Sequence, residues 1–106
     1  MWIFLSDSFL SIVAHSSIPG SLLVRARHEG DIERAFPDIA ATVDESADYR
    51  YRAVIPREVV AQRLSEVAGS IDYPNFKNTV HDHDRRDAYM EIWSTMYRLQ
   101  LKHRQR

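Results

Sequence analysis

The sequence predicts an α+β domain in which a four-stranded, mainly antiparallel sheet carries two to three helices on one face, a sandwich of the ferredoxin-like type. Three observations point there. Short runs rich in β-branched and aromatic residues alternate with period two through the first half of the chain. Apolar residues recur at helical spacing through the second half. A length of 106 residues suits one domain, 1–106, with one core.

Trp2 to Leu5 and Phe9 to His15 are the first two strands, and the polar Ser6-Asp7-Ser8 between them suits a hairpin turn. Ser16-Ser17-Ile18-Pro19-Gly20 breaks the pattern. The third strand, Leu22 to Arg27, alternates an apolar set with Leu23, Arg25 and Arg27. Asp31 is placed to cap a short helix carrying Ile32, Ala35 and Phe36, which Pro37 stops. Asp38 to Asp48 is an acidic connection, and Tyr49 to Ile55 is the fourth strand, reached by a right-handed crossover from the third. Pro56 suits the first turn of a helix with Val60, Leu64, Val67, Ala68 and Ile71 on one side. Asp82 or Asp84 opens the last helix, where Ala88, Tyr89, Ile92, Trp93, Met96 and Leu99 form a broad stripe that predicts a buried Trp93.

Composition excludes several classes. An apolar content of 44% with 27% charged residues describes a folded chain. With no cysteine, disulfides, thiolate zinc sites and a cysteine nucleophile are ruled out, and a cytoplasmic setting is expected. The opening Met1-Trp2-Ile3-Phe4-Leu5-Ser6 lacks a basic segment and Asp7 ends its apolar run, so no membrane partner is expected. Net charge is −1, but its sign is uneven. Glu29, Asp31, Glu33, Asp38, Asp44, Glu45 and Asp48 surround Arg34 alone, whereas the tail carries Arg98, Lys102, Arg104 and Arg106 without an acid, as suits a helix C-terminus.

Val24-Arg25-Ala26-Arg27, Asp48-Tyr49-Arg50-Tyr51-Arg52, Ile71-Asp72-Tyr73-Pro74-Asn75-Phe76-Lys77 and Asp87-Ala88-Tyr89 ahead of Trp93 follow the aromatic amino-terminal hairpin. With these motifs, nearly the whole chain resembles a family of small, uncharacterised bacterial proteins. The resemblance implies a bacterial, cytoplasmic origin and brings no activity with it.

Three regions carry ligand-type side chains. Arg25, Arg27, Arg50 and Arg52 come from two strands and suit a phosphate or carboxylate ligand if they converge, or serve as amphipathic cover for an open sheet face. Tyr73, Asn75 and Phe76 make a candidate binding loop. His81, His83 and Asp87 are the most metal-like set, but the i, i+2 spacing of the two histidines diverges, so no metal and no cofactor are expected. His15 and His28 are isolated, and no Gly-x-Ser-x-Gly elbow or phosphate-cradling glycine loop occurs. Tyr49 and Tyr51 alternate away from the arginines, which argues against nucleic acid as partner. The leading expectation is a binding or protein-interaction module that self-associates as a homo-oligomer through its open sheet face. The alternatives are a small metal-dependent enzyme at His81, His83 and Asp87, and a phosphate or nucleic-acid binder on the arginines.

Overall fold

A computed structural model describes residues 1–104, and the backbone forms two compact units, Met1–Asp72 and Tyr73–Arg106. The first unit contains a five-stranded, wholly antiparallel sheet built from β1 (Trp2–Phe4), β2 (Phe9–Ala14), β3 (Ser21–Ala26), β4 (Thr42–Val43) and β5 (Tyr51–Pro56), in the order β1-β2-β3-β5-β4. It also contains α1 (Asp31–Ala35) and α2 (Arg57–Gly69). The second unit holds a 3-10 turn, Phe76–Thr79, and α3, His83–Arg104. The basic residue Arg106 lies outside the described residues.

The α+β class is as the sequence predicts, but the sheet has five strands rather than four. The fifth is Thr42–Val43, inside the acidic connection. Asp44 reverses the chain there: its N–H donates to the Arg50 carbonyl at 2.7 Å, and its carboxylate accepts from the N–H and hydroxyl of Ser46. Such an Asx turn is set by local polar groups and needs no hydrophobic run. The extra strand changes the topology. β3 and β4 both lie antiparallel to β5, so they run in the same direction with β5 between them. The crossover therefore joins β3 to β4 through α1, and β3 meets β5 antiparallel. One split β-α-β unit of this kind is combined with the β1-β2-β3 meander, which departs from the β-α-β-β-α-β order of the ferredoxin-like fold.

Strand alternation sorts side chains to two faces. One face receives Leu10, Ile12, Val24, Ala26, Ala53 and Ile55, which pack with Ile32, Ala35 and Phe36 around α1 and with Val60 of α2; Tyr51 and Leu64 close the margin. Val24 and Ile55 are wholly buried. Both helices thus cover the same face, which is why α2 is apolar along one side only.

Asp31 does not cap α1. Gly30 stands at the N-cap with φ 88°, and Asp31 is the first helical residue. Its buried carboxylate reaches instead to the N–H of Phe9, 3.0 Å away on β2, and is paired with the guanidinium of Arg34. Arg34 Nε then donates to the Asp7 carbonyl at 2.9 Å. A carboxylate held by an amide and a guanidinium can be buried without being left unpaired, and here it ties the first hairpin to α1. Gly30 cannot be replaced cheaply, because its backbone is left-handed at φ 88°; a Cβ there would also press on the guanidinium end of Arg34, which would have to shift. Pro56 likewise ends β5 as the N-cap residue of α2 instead of entering its first turn.

In the second unit, Asp82 caps α3 as expected, its carboxylate accepting from the N–H of Arg85 at 2.8 Å. The stripe on α3 is a correction: Trp93 is 60% exposed, and Ile92, Met96, Tyr97 and Leu99 are exposed with it. Helical periodicity specifies that one side of a helix is apolar, but not what covers it.

Candidate interaction surface

The face of the sheet opposite α1 and α2 is organised by register. Trp2 pairs with Ser11, Ser11 with Arg25, Arg25 with Arg52, and Arg52 with Thr42, so a single row of side chains crosses all five strands. Two neighbouring rows lie on either side of it: Phe4 opposite Phe9, and Val13 opposite Leu23 opposite Val54. No helix of this unit covers the face; Trp2 is 69% exposed and Val54 44%. Phe4 and Phe9 stack with centroids 4.7 Å apart, and Trp2 meets Phe9 edge-on at 6.4 Å. The aromatic cluster arises because Trp2 and Phe4 flank Ile3, which points to the core side.

The arginines behave differently from one another. Two guanidinium groups lie against the ring of Tyr49, Arg25 with its central carbon 4.6 Å and Arg27 4.0 Å from the ring centroid. Tyr49 is buried beneath them. Its position beside Arg25 and Arg27 corrects the expectation that it alternates to the far side, since it precedes β5 in irregular backbone where strand alternation does not apply; Tyr51 does pack at the helix-covered face. Arg25 also donates to Ser11 Oγ at 2.7 Å, while its Nε is buried without a hydrogen-bond partner. Arg27 donates to the Asp48 carbonyl at 2.9 Å. Arg52 sits opposite Arg25 in the ladder, and like charges so placed repel unless they diverge. Its charge acts on Asp44, whose carboxyl is held below the ordinary carboxylate value chiefly by the two Ser46 hydrogen bonds, with Arg52 adding to them. Arg50 precedes β5 and stands exposed outside the row. The four arginines therefore do not form one cage around an anion: three line the surface, two of them already resting on Tyr49.

Tyr73, Asn75 and Phe76 are occupied within their own unit. Asn75 Oδ1 accepts from the N–H of Lys77 and starts the 3-10 turn, and the Phe76 ring lies 6.1 Å from that of Tyr73 and stacks nearly parallel to that of Tyr89 at 6.0 Å. His83 Nδ1 is 3.3 Å from Asp87 Oδ2, both exposed on the first turns of α3, and His81 does not join them. Among the described residues, no three His, Asp or Glu side chains gather in a way that would hold a metal ion. His15 is used locally, Nδ1 accepting from the N–H groups of Ser17 and Ile18 at 3.1 Å. An open groove of about 360 Å³ runs between Phe36–Ile39 and α2, but Arg63 at its wall is spent on the Ala35 carbonyl and Glu66.

No family model matches the chain, no curated protein is significantly similar to it in sequence, and no solved structure matches it significantly. No helix among the described residues is long and apolar enough to cross a membrane. What fold and surface define together is an α+β unit with one sheet face, of mixed aromatic and arginine character, that its own helices α1 and α2 leave uncovered. Sequence reasoning had singled out the arginines, and Trp2 and Phe4 as suited either to a contact at a sheet edge or to the core, but not Phe9, Ser11 and Tyr49 beside them; nothing in the sequence announced Tyr49.

Proposed function

We propose that the protein is a binding module that recognises another protein through the sheet face opposite α1 and α2, taking a partner segment that combines acidic with flat apolar groups. The observation that carries this is the five-strand row Trp2-Ser11-Arg25-Arg52-Thr42, which sets an exposed indole and two guanidinium groups in one line. Tryptophan and arginine are the residue types on which protein interfaces concentrate their binding energy, because each offers a large rigid contact and a directional polar group. Nucleic acid is the weaker partner, because a net charge of −1 gives the chain no overall attraction to a phosphate backbone. The cysteine-free composition and the resemblance to small bacterial proteins support a cytoplasmic site of action.

The test is an amide-shift titration of the full chain with a glutamate-tyrosine copolymer and, separately, with oligo-thymidine. Shifts at Trp2, Arg25, Arg52 and Val54 with the acidic copolymer, weakened about tenfold by Trp2→Ala or Arg52→Glu, are expected. Unmoved resonances on this face, or tighter binding of the oligonucleotide, would overturn the assignment.

A further inference from the structure

The exposed apolar side of α3, in the second unit, is a further surface. α3 runs for 22 residues, about 33 Å at the helical rise, from His83 to Arg104. Its exposed large side chains are Ile92, Trp93, Met96, Tyr97 and Leu99, each 41–60% exposed. Trp93 and Tyr97 stack on one another, ring centroids 5.4 Å apart, and make one continuous aromatic plate. A contiguous apolar strip of this kind marks an association surface, since a monomer gains nothing by hydrating it.

The spacing identifies the occupant. Tyr89, Ile92, Met96 and Leu99 follow one another at intervals of three, four and three, the seam of a short coiled coil. That series reads the same in both directions about its midpoint at Ser94. A two-fold axis there matches Tyr89 with Leu99 of a second copy, and Ile92 with its Met96, so every seam residue meets another seam residue.

Charge selects the same orientation. Asp82, Asp84, Asp87 and Glu91 oppose Arg85 and Arg86 at the amino-terminal half of the helix, a net −2. From Ile92 onward the helix contains Arg98, Lys102 and Arg104 and no acid, a net +3. Parallel pairing would bring like ends together, whereas antiparallel pairing sets each acidic half beside a basic half and also opposes the two helix dipoles.

We infer that two copies of this chain associate through α3, antiparallel, about a two-fold axis near Ser94, with Ile92 and Met96 at the centre of the seam, Tyr89 and Leu99 at its ends and Trp93 flanking it. The seam spans only about 15 Å, so the dimer forms and dissociates with concentration instead of being permanent.

Sedimentation equilibrium of the full chain from about 1 µM to about 1 mM tests the association. A monomer–dimer equilibrium that tightens at low salt is expected. Ile92→Glu combined with Met96→Glu should weaken it by at least about tenfold while leaving the circular dichroism of the monomer unchanged, because both sites are exposed. Trp2→Ala, on the sheet face, should leave it intact, which separates failure here from failure of the sheet-face assignment. Orientation is read by thiols, made simple by a chain that has none of its own. Ala88→Cys and Lys102→Cys chains are mixed and oxidised; both positions are exposed and lie about 21 Å apart along one helix. The mixed 88–102 disulfide is expected to exceed either homodisulfide. A chain monomeric at the highest concentration, a dimer indifferent to the double variant, or homodisulfides in excess would each overturn the inference.

Discussion

Replacing Asp31 by alanine removes the one buried carboxylate that joins the first hairpin to α1. Two of its interactions set the cost. The Phe9 N–H loses a charged acceptor at 3.0 Å, and such a bond contributes about 1.5–3 kcal/mol. Arg34 loses its carboxylate partner, and breaking a buried pair usually costs about 3–5 kcal/mol. The upper end does not apply here, because the Arg34 side chain is 40% exposed and can rehydrate, and it keeps its bond to the Asp7 carbonyl. The expected loss is about 3 kcal/mol, a large part of the stability of a domain this small. Urea denaturation followed by far-ultraviolet circular dichroism measures it, with an unchanged slope showing that the native and unfolded states are otherwise alike. Asp31→Asn preserves an acceptor for Phe9 and should cost about half as much. A double cycle with Arg34→Ala should give a coupling of about 1–2 kcal/mol. A loss below about 1 kcal/mol for Asp31→Ala, or no coupling, would refute the claim that the carboxylate works as a tie between hairpin and helix.

Gly30→Ala should destabilise by about 2 kcal/mol, through its left-handed backbone and by displacing Arg34, and the same melts would show it. Ile55→Ala, at a wholly buried position, should cost about 2–5 kcal/mol, whereas Trp93→Ala in dilute protein should cost less than about 1 kcal/mol because its ring stands in water; equal costs would contradict the exposed α3 stripe. Ser46→Ala should raise the titration midpoint of Asp44 toward the ordinary carboxylate value, read by side-chain carbon shifts against pH. Because the folded value lies below the unfolded one, the stabilisation from Asp44 is complete above the unfolded carboxylate range and is lost as pH falls through the folded midpoint, so the variant should be less sensitive to acid over that window.

The sequence carried the elements whose signals are local. The first hairpin, β3, β5, α2 and the Asp82-capped α3 could all be read from alternation, helical spacing and capping residues, each of which depends on a few adjacent side chains. β4 escaped because two residues are too few to show a period, and it formed because Asp44 and Ser46 turn the chain back along β5. Asp31 looked like a cap because it precedes a helical pattern, yet its carboxylate turned to an amide 22 positions earlier in the chain. Such a partner is invisible to local reasoning.

Arg25 and Arg52 show the division most clearly. Alternation alone placed them on the face away from the apolar residues of their strands. That they stand directly opposite one another, that Arg25 and Arg27 rest on a buried Tyr49, and that Trp2 ends the same row are consequences of strand register and of an irregular segment before β5. The amphipathic pattern of α3 was also local, whereas its exposure was not. Periodicity arises within one element, but pairing, register and cover are fixed by which distant surfaces bury together, and that choice belongs to the whole chain.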